Sequence, residues 1–106
     1  MPTNPTYVSA VRNYNVSTGD ISLTAENTYT PEVQIFGTFN FSISGTFVAT
    51  IFIQRSFDAG ATWLDVNSYT APIQTSGEEP EKGVLYRAGI KTGGFTSGTA
   101  VLRISQ

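Results

Sequence analysis

The chain of 106 residues contains no cysteine and no histidine. The first absence excludes disulfides, zinc–thiolate sites and thiol nucleophiles. The second removes the commonest general base and the commonest metal ligand. Charged residues make up only 13 % and the net charge is −2, about half the ordinary charged share. Such a balance offers no electrostatic footprint for nucleic acid or for an acidic membrane surface. Long apolar runs are missing too. The longest, FVATIFI at 47–53, falls far short of the ~18 residues of a membrane helix and fits a buried strand. The opening MPTNPTYVSA has neither a basic n-region nor an apolar h-region, so no secretory signal is expected and the chain reads as soluble.

What remains is rich in Thr, Ser, Gly, Val, Ile, Phe and Tyr, the residues of strands and tight turns. Residues 8–17 alternate weakly and read as an edge strand, followed by a turn at 18–20. In 21–25, Ile21, Leu23 and Ala25 share one face. Pro31 marks 26–32 as a loop. The cleanest period-2 pattern runs through 33–45, with Val33, Ile35, Phe39, Phe41 and Ile43 on one face and a bulge expected at Gly37. Ser44 and Gly45 read as a turn into a central strand at 46–57. Another strand is expected at 61–71. The stretch PIQTSGEEPEKG at 72–83 reads as a long mobile loop. Strands at 84–92 and 99–106 follow, separated by a loop at 93–98. These elements predict one all-β domain over 1–106: a single β-sandwich, jelly-roll or immunoglobulin-like, of about seven or eight antiparallel strands. Residues 1–7 read as an extended N-terminal arm.

The octapeptide SFDAGATW at 56–63 carries the most local information. Asp58 can accept backbone N–H groups further along, Gly60 can take a positive φ, and Ser56 can bond across the turn. Trp63 then covers the hairpin base. The spacing Ser56-x-Asp58-x-Gly60-x-x-Trp63 resembles the Asp-box of sialidases, which in that family sits on hairpins away from the catalytic centre. A sialidase propeller needs several blades of about 45 residues, so these residues are read as a folding device.

Other candidate sites reduce to structural readings. Asp58 and Asp65 as a glycosidase acid pair are set aside, because Asp58 has a turn role and Asp65 lies on a strand. Glu78, Glu79 and Glu81 as ligands of a hard cation are set aside in favour of a solvated loop tip. No enzyme and no cofactor are expected. Arg55, Arg87 and Arg103 lie on predicted strands, where each serves either as a cross-strand partner or as an interface residue; Tyr7 joins them as an interface candidate. Tyr14, Tyr29 and Tyr69 also fall near loops or strand ends, where rings serve sugar stacking or protein contact equally. The sequons at 15–17 and 40–42 match only by pattern.

The segments SGTFVATIFIQRSFDAGATWLDV and YRAGIKTGGFTSGTAVLRISQ, within 44–106, are similar to small β-sandwich virion proteins of tailed bacteriophages. The resemblance implies a structural role without catalysis: a head-decoration (cement) protein bound to the major capsid protein, or a small tail component. It implies a homo-oligomer, a trimer at a three-fold position, made in the bacterial cytoplasm and resident in the virion, with no nucleic-acid or membrane partner. The competing expectation is a carbohydrate- or receptor-binding β-sandwich module of a phage tail or secreted glycosidase.

Overall fold

The computed structural model describes residues 16–106, which form seven strands and no helix. In chain order these are β1 (Ile21–Leu23), β2 (Thr28–Tyr29), β3 (Val33–Ala49), β4 (Ile51–Ser56), β5 (Leu64–Tyr69), β6 (Ile73–Ile90) and β7 (Phe95–Ser105). They make one antiparallel sheet in the order β1-β7-β3-β6-β4-β5, with β2 also paired to β6. The proposed arm at 1–7, Tyr7, and all but the end of the edge strand expected at 8–17 lie outside the described residues. That end is present as an isolated bridge between Ser17 and Ser105.

The alternation in β3 explains its facing. Ile35, Phe39, Phe41 and Ile43 are buried while Gln34, Thr38, Asn40 and Ser44 are exposed. Ile51 and Ile53 of β4, Val84, Tyr86, Ala88 and Ile90 of β6, and Ala100, Leu102 and Ile104 of β7 complete the core. A fully buried Ile or Leu of this kind contributes roughly 1.5–3 kcal/mol through area removed from water. Strands β3 and β5 lie three places apart in the sheet, yet the Phe41 and Tyr69 rings approach to 5.7 Å between centroids. The sheet therefore folds over its own apolar face, the layered all-β arrangement expected of a sandwich. The long strands β3 and β6 run through both layers and carry the bend. Between the pairs Ile35↔Val84 and Gly37↔Glu79 the register slips, leaving one residue of β3 and residues 80–83 of β6 unpaired.

Several local expectations need correction. No turn occurs at 44–45: β3 continues through it, and Gly45 pairs with Ala100. Glycine is needed there for a different reason. Gly45 has φ +97°, and a Cβ would collide with the Thr99 carbonyl of β7. The expected loop at 72–83 is the first half of β6, with Gly77 to Ile73 paired to Phe39 to Ile43. Its polar residues Gln74, Ser76 and Glu78 are simply the exposed side of a half-solvated strand. The strand expected at 46–57 is cut at Thr50, whose N–H donates to the Gly94 carbonyl as the chain passes from one layer to the other. Within the loops expected at 26–32 and 93–98 lie β2 and the start of β7.

Gly45→Ala is expected to lower the unfolding free energy by about 2 kcal/mol or more, because the left-handed backbone strain and the contact with Thr99 add. Urea denaturation of the variant checks this.

Candidate functional site

Chemistry-bearing side chains gather around β4 and the two strands beside it, in three connected clusters. The first is the β4–β5 connection, residues 57–63. Ser56 is fully buried. Its hydroxyl donates to Asp58 Oδ1 at 2.7 Å and accepts the N–H groups of Gly60 at 2.8 Å and Asp58 at 3.3 Å. The same Asp58 oxygen accepts the Thr62 N–H at 2.8 Å. Ala59 and Gly60 both have positive φ, 60° and 93°. The turn thus satisfies its own backbone from within, so the side chains of Ser56 and Asp58 are committed to the turn. The Ser56 hydroxyl, followed by the backbone and side chain of Thr62, holds the Asp58 carboxyl below its ordinary value.

The second cluster lies behind the bulge of β6. Glu79 is only 1 % exposed, which overturns its expected place at a solvated loop tip. Its Oε1 accepts the Tyr86 hydroxyl and Arg55 Nη1, both at 2.8 Å. Its Oε2 accepts the Glu81 N–H at 3.0 Å. Burial pushes the Glu79 carboxyl up, but the bonds from Tyr86, Glu81 and Arg55 together outweigh it and hold the group ionised below the ordinary range. Burial, reinforced by the Glu79 bond, raises the Tyr86 hydroxyl to about 12. Tyr86 also packs its ring against Phe39 with centroids 4.8 Å apart. Arg55 lies over the Phe57 ring at 4.9 Å.

The third cluster covers the outer face of β5, β4 and β6. The Arg87 guanidinium lies between two rings, 3.8 Å from the Tyr29 centroid and 4.4 Å from that of Trp63. Its Nε donates to Gln54 Oε1 at 2.9 Å. Gln54 Nε2 in turn donates to Asp65 Oδ1 at 2.8 Å, and Lys91 Nζ pairs with Asp65 Oδ2 at 2.6 Å. Lys91 also sits over the Phe52 ring at 4.2 Å. Trp63 therefore packs on a cation of β6. Cation–π contacts of this kind contribute roughly 0.5–2 kcal/mol each.

Of the sequence candidates, Ser56, Asp58 and Gly60 are brought together. Arg55 and Arg87 both act as cross-strand partners. Arg103 stands apart on the exposed face of β7, opposite Ser42 of β3. Sequence reasoning missed Glu79, Tyr86, Gln54 and the Asp65–Lys91 pair. One signal for Glu79 was available: it falls on the same strand parity as Ile73, Thr75 and Gly77, opposite to Gln74, Ser76 and Glu78.

Chemically, these clusters support structure. Asp65 is held below the ordinary carboxylate value by the Gln54 bond first and by Lys91 second. A general acid at neutral pH needs its carboxyl raised, and Asp58, Asp65 and Glu79 are all lowered. Among the described residues no group of three or more acidic, His or Cys side chains could hold a metal ion. No family model matches the chain, and neither a curated protein nor a solved structure matches it.

Two outcomes follow for stability. Ser56→Ala, which strips a buried hydroxyl of one donor and two acceptor contacts, is expected to cost about 1–3 kcal/mol, read from the urea midpoint. The Glu79 carboxyl is depressed on folding, so its contribution is present above the ordinary Glu range and fades as pH falls through the folded value. Glu79→Gln is expected to be less stable than the wild type at pH 7, with the gap narrowing on acidification to about pH 3. A gap that widens in acid would contradict the assignment.

Proposed function

We propose that the chain is a virion structural protein of a tailed bacteriophage, specifically a head-decoration protein that adheres to the major capsid protein and stabilises the shell. One observation carries the reading. Four of the groups that could serve catalysis or ligand binding are engaged by the chain itself: Asp58 in its turn, Glu79 on Arg55 and Tyr86, Asp65 on Lys91, and Arg87 between Tyr29 and Trp63. The outward side of β3 then presents Gln34, Thr38, Asn40, Ser44 and Thr46, with Phe36 and Val48 exposed among them. Uncharged polar groups with scattered apolar side chains suit adhesion to another protein. The resemblance of residues 44–106 to phage virion proteins supplies the setting. Many copies on a lattice would add weak individual contacts into a strong shell.

Particles with and without the protein test this. Decorated heads are expected to withstand a higher temperature before releasing their genome, because binding only to the intact lattice stabilises it. Electron microscopy should place the chain on the head. Equal heat resistance with the chain found on the tail would replace this reading by receptor binding. Turnover of a glycoside that disappears in Asp58→Asn would replace it by catalysis.

A further inference from the structure

Strand β5 ends the sheet, and among the described residues it pairs with β4 alone. Its other edge has no strand beside it, and of its backbone groups the Ser68 N–H is held by Asn67 Oδ1 at 2.8 Å, an intrastrand bond that pairing would have to exchange. Natural proteins guard such an edge with lysine, proline or an inward charge. The β5 sequence LDVNSY contains no lysine and no proline, and its one charge, Asp65, is already held by Lys91 at 2.6 Å. Residues Leu64 to Ser68 are all exposed, and Leu64 and Val66 are each 47 % exposed. Phe57, at 49 %, lies at the start of the same hairpin, so three of the five large apolar side chains exposed among the described residues gather here. A bulge leaves Val66 without an opposite residue on β4 and sets it at the mouth of a cleft of about 150 Å³ floored by Phe39, Phe41 and Tyr69.

We infer that this edge pairs with β5 of a second copy of the chain, antiparallel about a two-fold axis, extending the sheet across both molecules. The strand is complementary to itself in one register. There Leu64 stands opposite the second copy's Tyr69, Asp65 opposite its Ser68, and Val66 opposite its Asn67. The faces agree. Leu64 and Tyr69 lie opposite Arg55 and Ile51 on the core side of β4, whereas Asp65 and Ser68 lie opposite Gln54 and Phe52 on the outer side. Like charges directly opposite one another are the usual obstacle to pairing of identical edges. Here the only carboxylate of the strand faces a serine and brings its own lysine. The isologous contact needs no other chain and closes after two copies. Six residues a side form a small interface, below the ~1,200 Å² of stable complexes, so association should depend on concentration.

Sedimentation of the full chain across micromolar to millimolar concentrations, with hydrogen exchange of residues 64–68, tests the pairing. Dimers are expected, with the β5 amides gaining protection as concentration rises while those of β4 stay constant. The double variant Leu64→Lys, Val66→Lys changes two exposed side chains and places lysines on the paired edge, the one at 66 beside its symmetry mate at the axis. It is expected to weaken association by about tenfold or more while keeping the wild-type far-ultraviolet dichroism. A monomer at every concentration, a closed trimer, or a dimer untouched by the double variant would each overturn the inference. The wild-type exchange measurement decides the matter even if the variant folds poorly.

Discussion

The bent pairing of β3 with β6 is the constraint on which the rest of the molecule depends. Two strands of 17 and 18 residues cannot cover one small core while straight. They must turn, and a sheet turns where its register breaks. At that break residues 80–83 leave the ladder, and the carboxylate of Glu79 falls inside. An unpaired buried carboxylate would be unfavourable by several kcal/mol. The Arg55 guanidinium, the Tyr86 hydroxyl and the Glu81 N–H meet it, and together they tie β4 and both halves of β6 to one point. The corner is held by a charge network at the place where apolar packing alone could not satisfy the freed backbone.

The remaining cations extend the same logic across β4. Arg55 works on the core side of that strand, and Gln54, one position earlier, works on the outer side. Gln54 bridges Arg87 and Asp65, so a neutral amide joins two charged groups of neighbouring strands. Tyr29, from the short strand β2, and Trp63, from the hairpin, close on Arg87 from either side. A chain with only 13 % charged residues has few such groups to deploy. Five of them, Arg55, Asp65, Glu79, Arg87 and Lys91, are placed across strand boundaries.

How much was legible in the sequence varies with the range of the deciding interaction. Residues 33–43 are readable because every second side chain is apolar and the strand needs no other information. The turn at Ser56 to Gly60 is readable because its hydrogen bonds join residues no more than four apart. Residues 72–83 mislead because Pro, Gly and three Glu carry the signature of a loop. Their strand is decided by pairing with β3 thirty or more residues earlier, as in Thr38↔Glu78. Ser44–Gly45 misleads for a similar reason, since the demand for glycine comes from Thr99 on β7. The Arg87 stack draws on β2, the hairpin and β6, and no local spacing announces it.

The single residue Thr50 between β3 and β4 has a consequence for how the chain acquires its shape. Strands joined so closely would ordinarily form a hairpin within microseconds, but β3 and β4 do not pair, and β6 lies between them. The β4–β5 hairpin can assemble locally as soon as its turn closes. Its docking onto β3 must wait until residues 73–90 have been made and have slipped into the gap. Most of the native ladder therefore belongs to late, long-range closure, which places this fold among the slow folders for its length. Until β6 arrives, the apolar faces of β3 and β4 are open to water, and during synthesis the core closes only after β7, which carries Ala100, Leu102 and Ile104, has also left the ribosome.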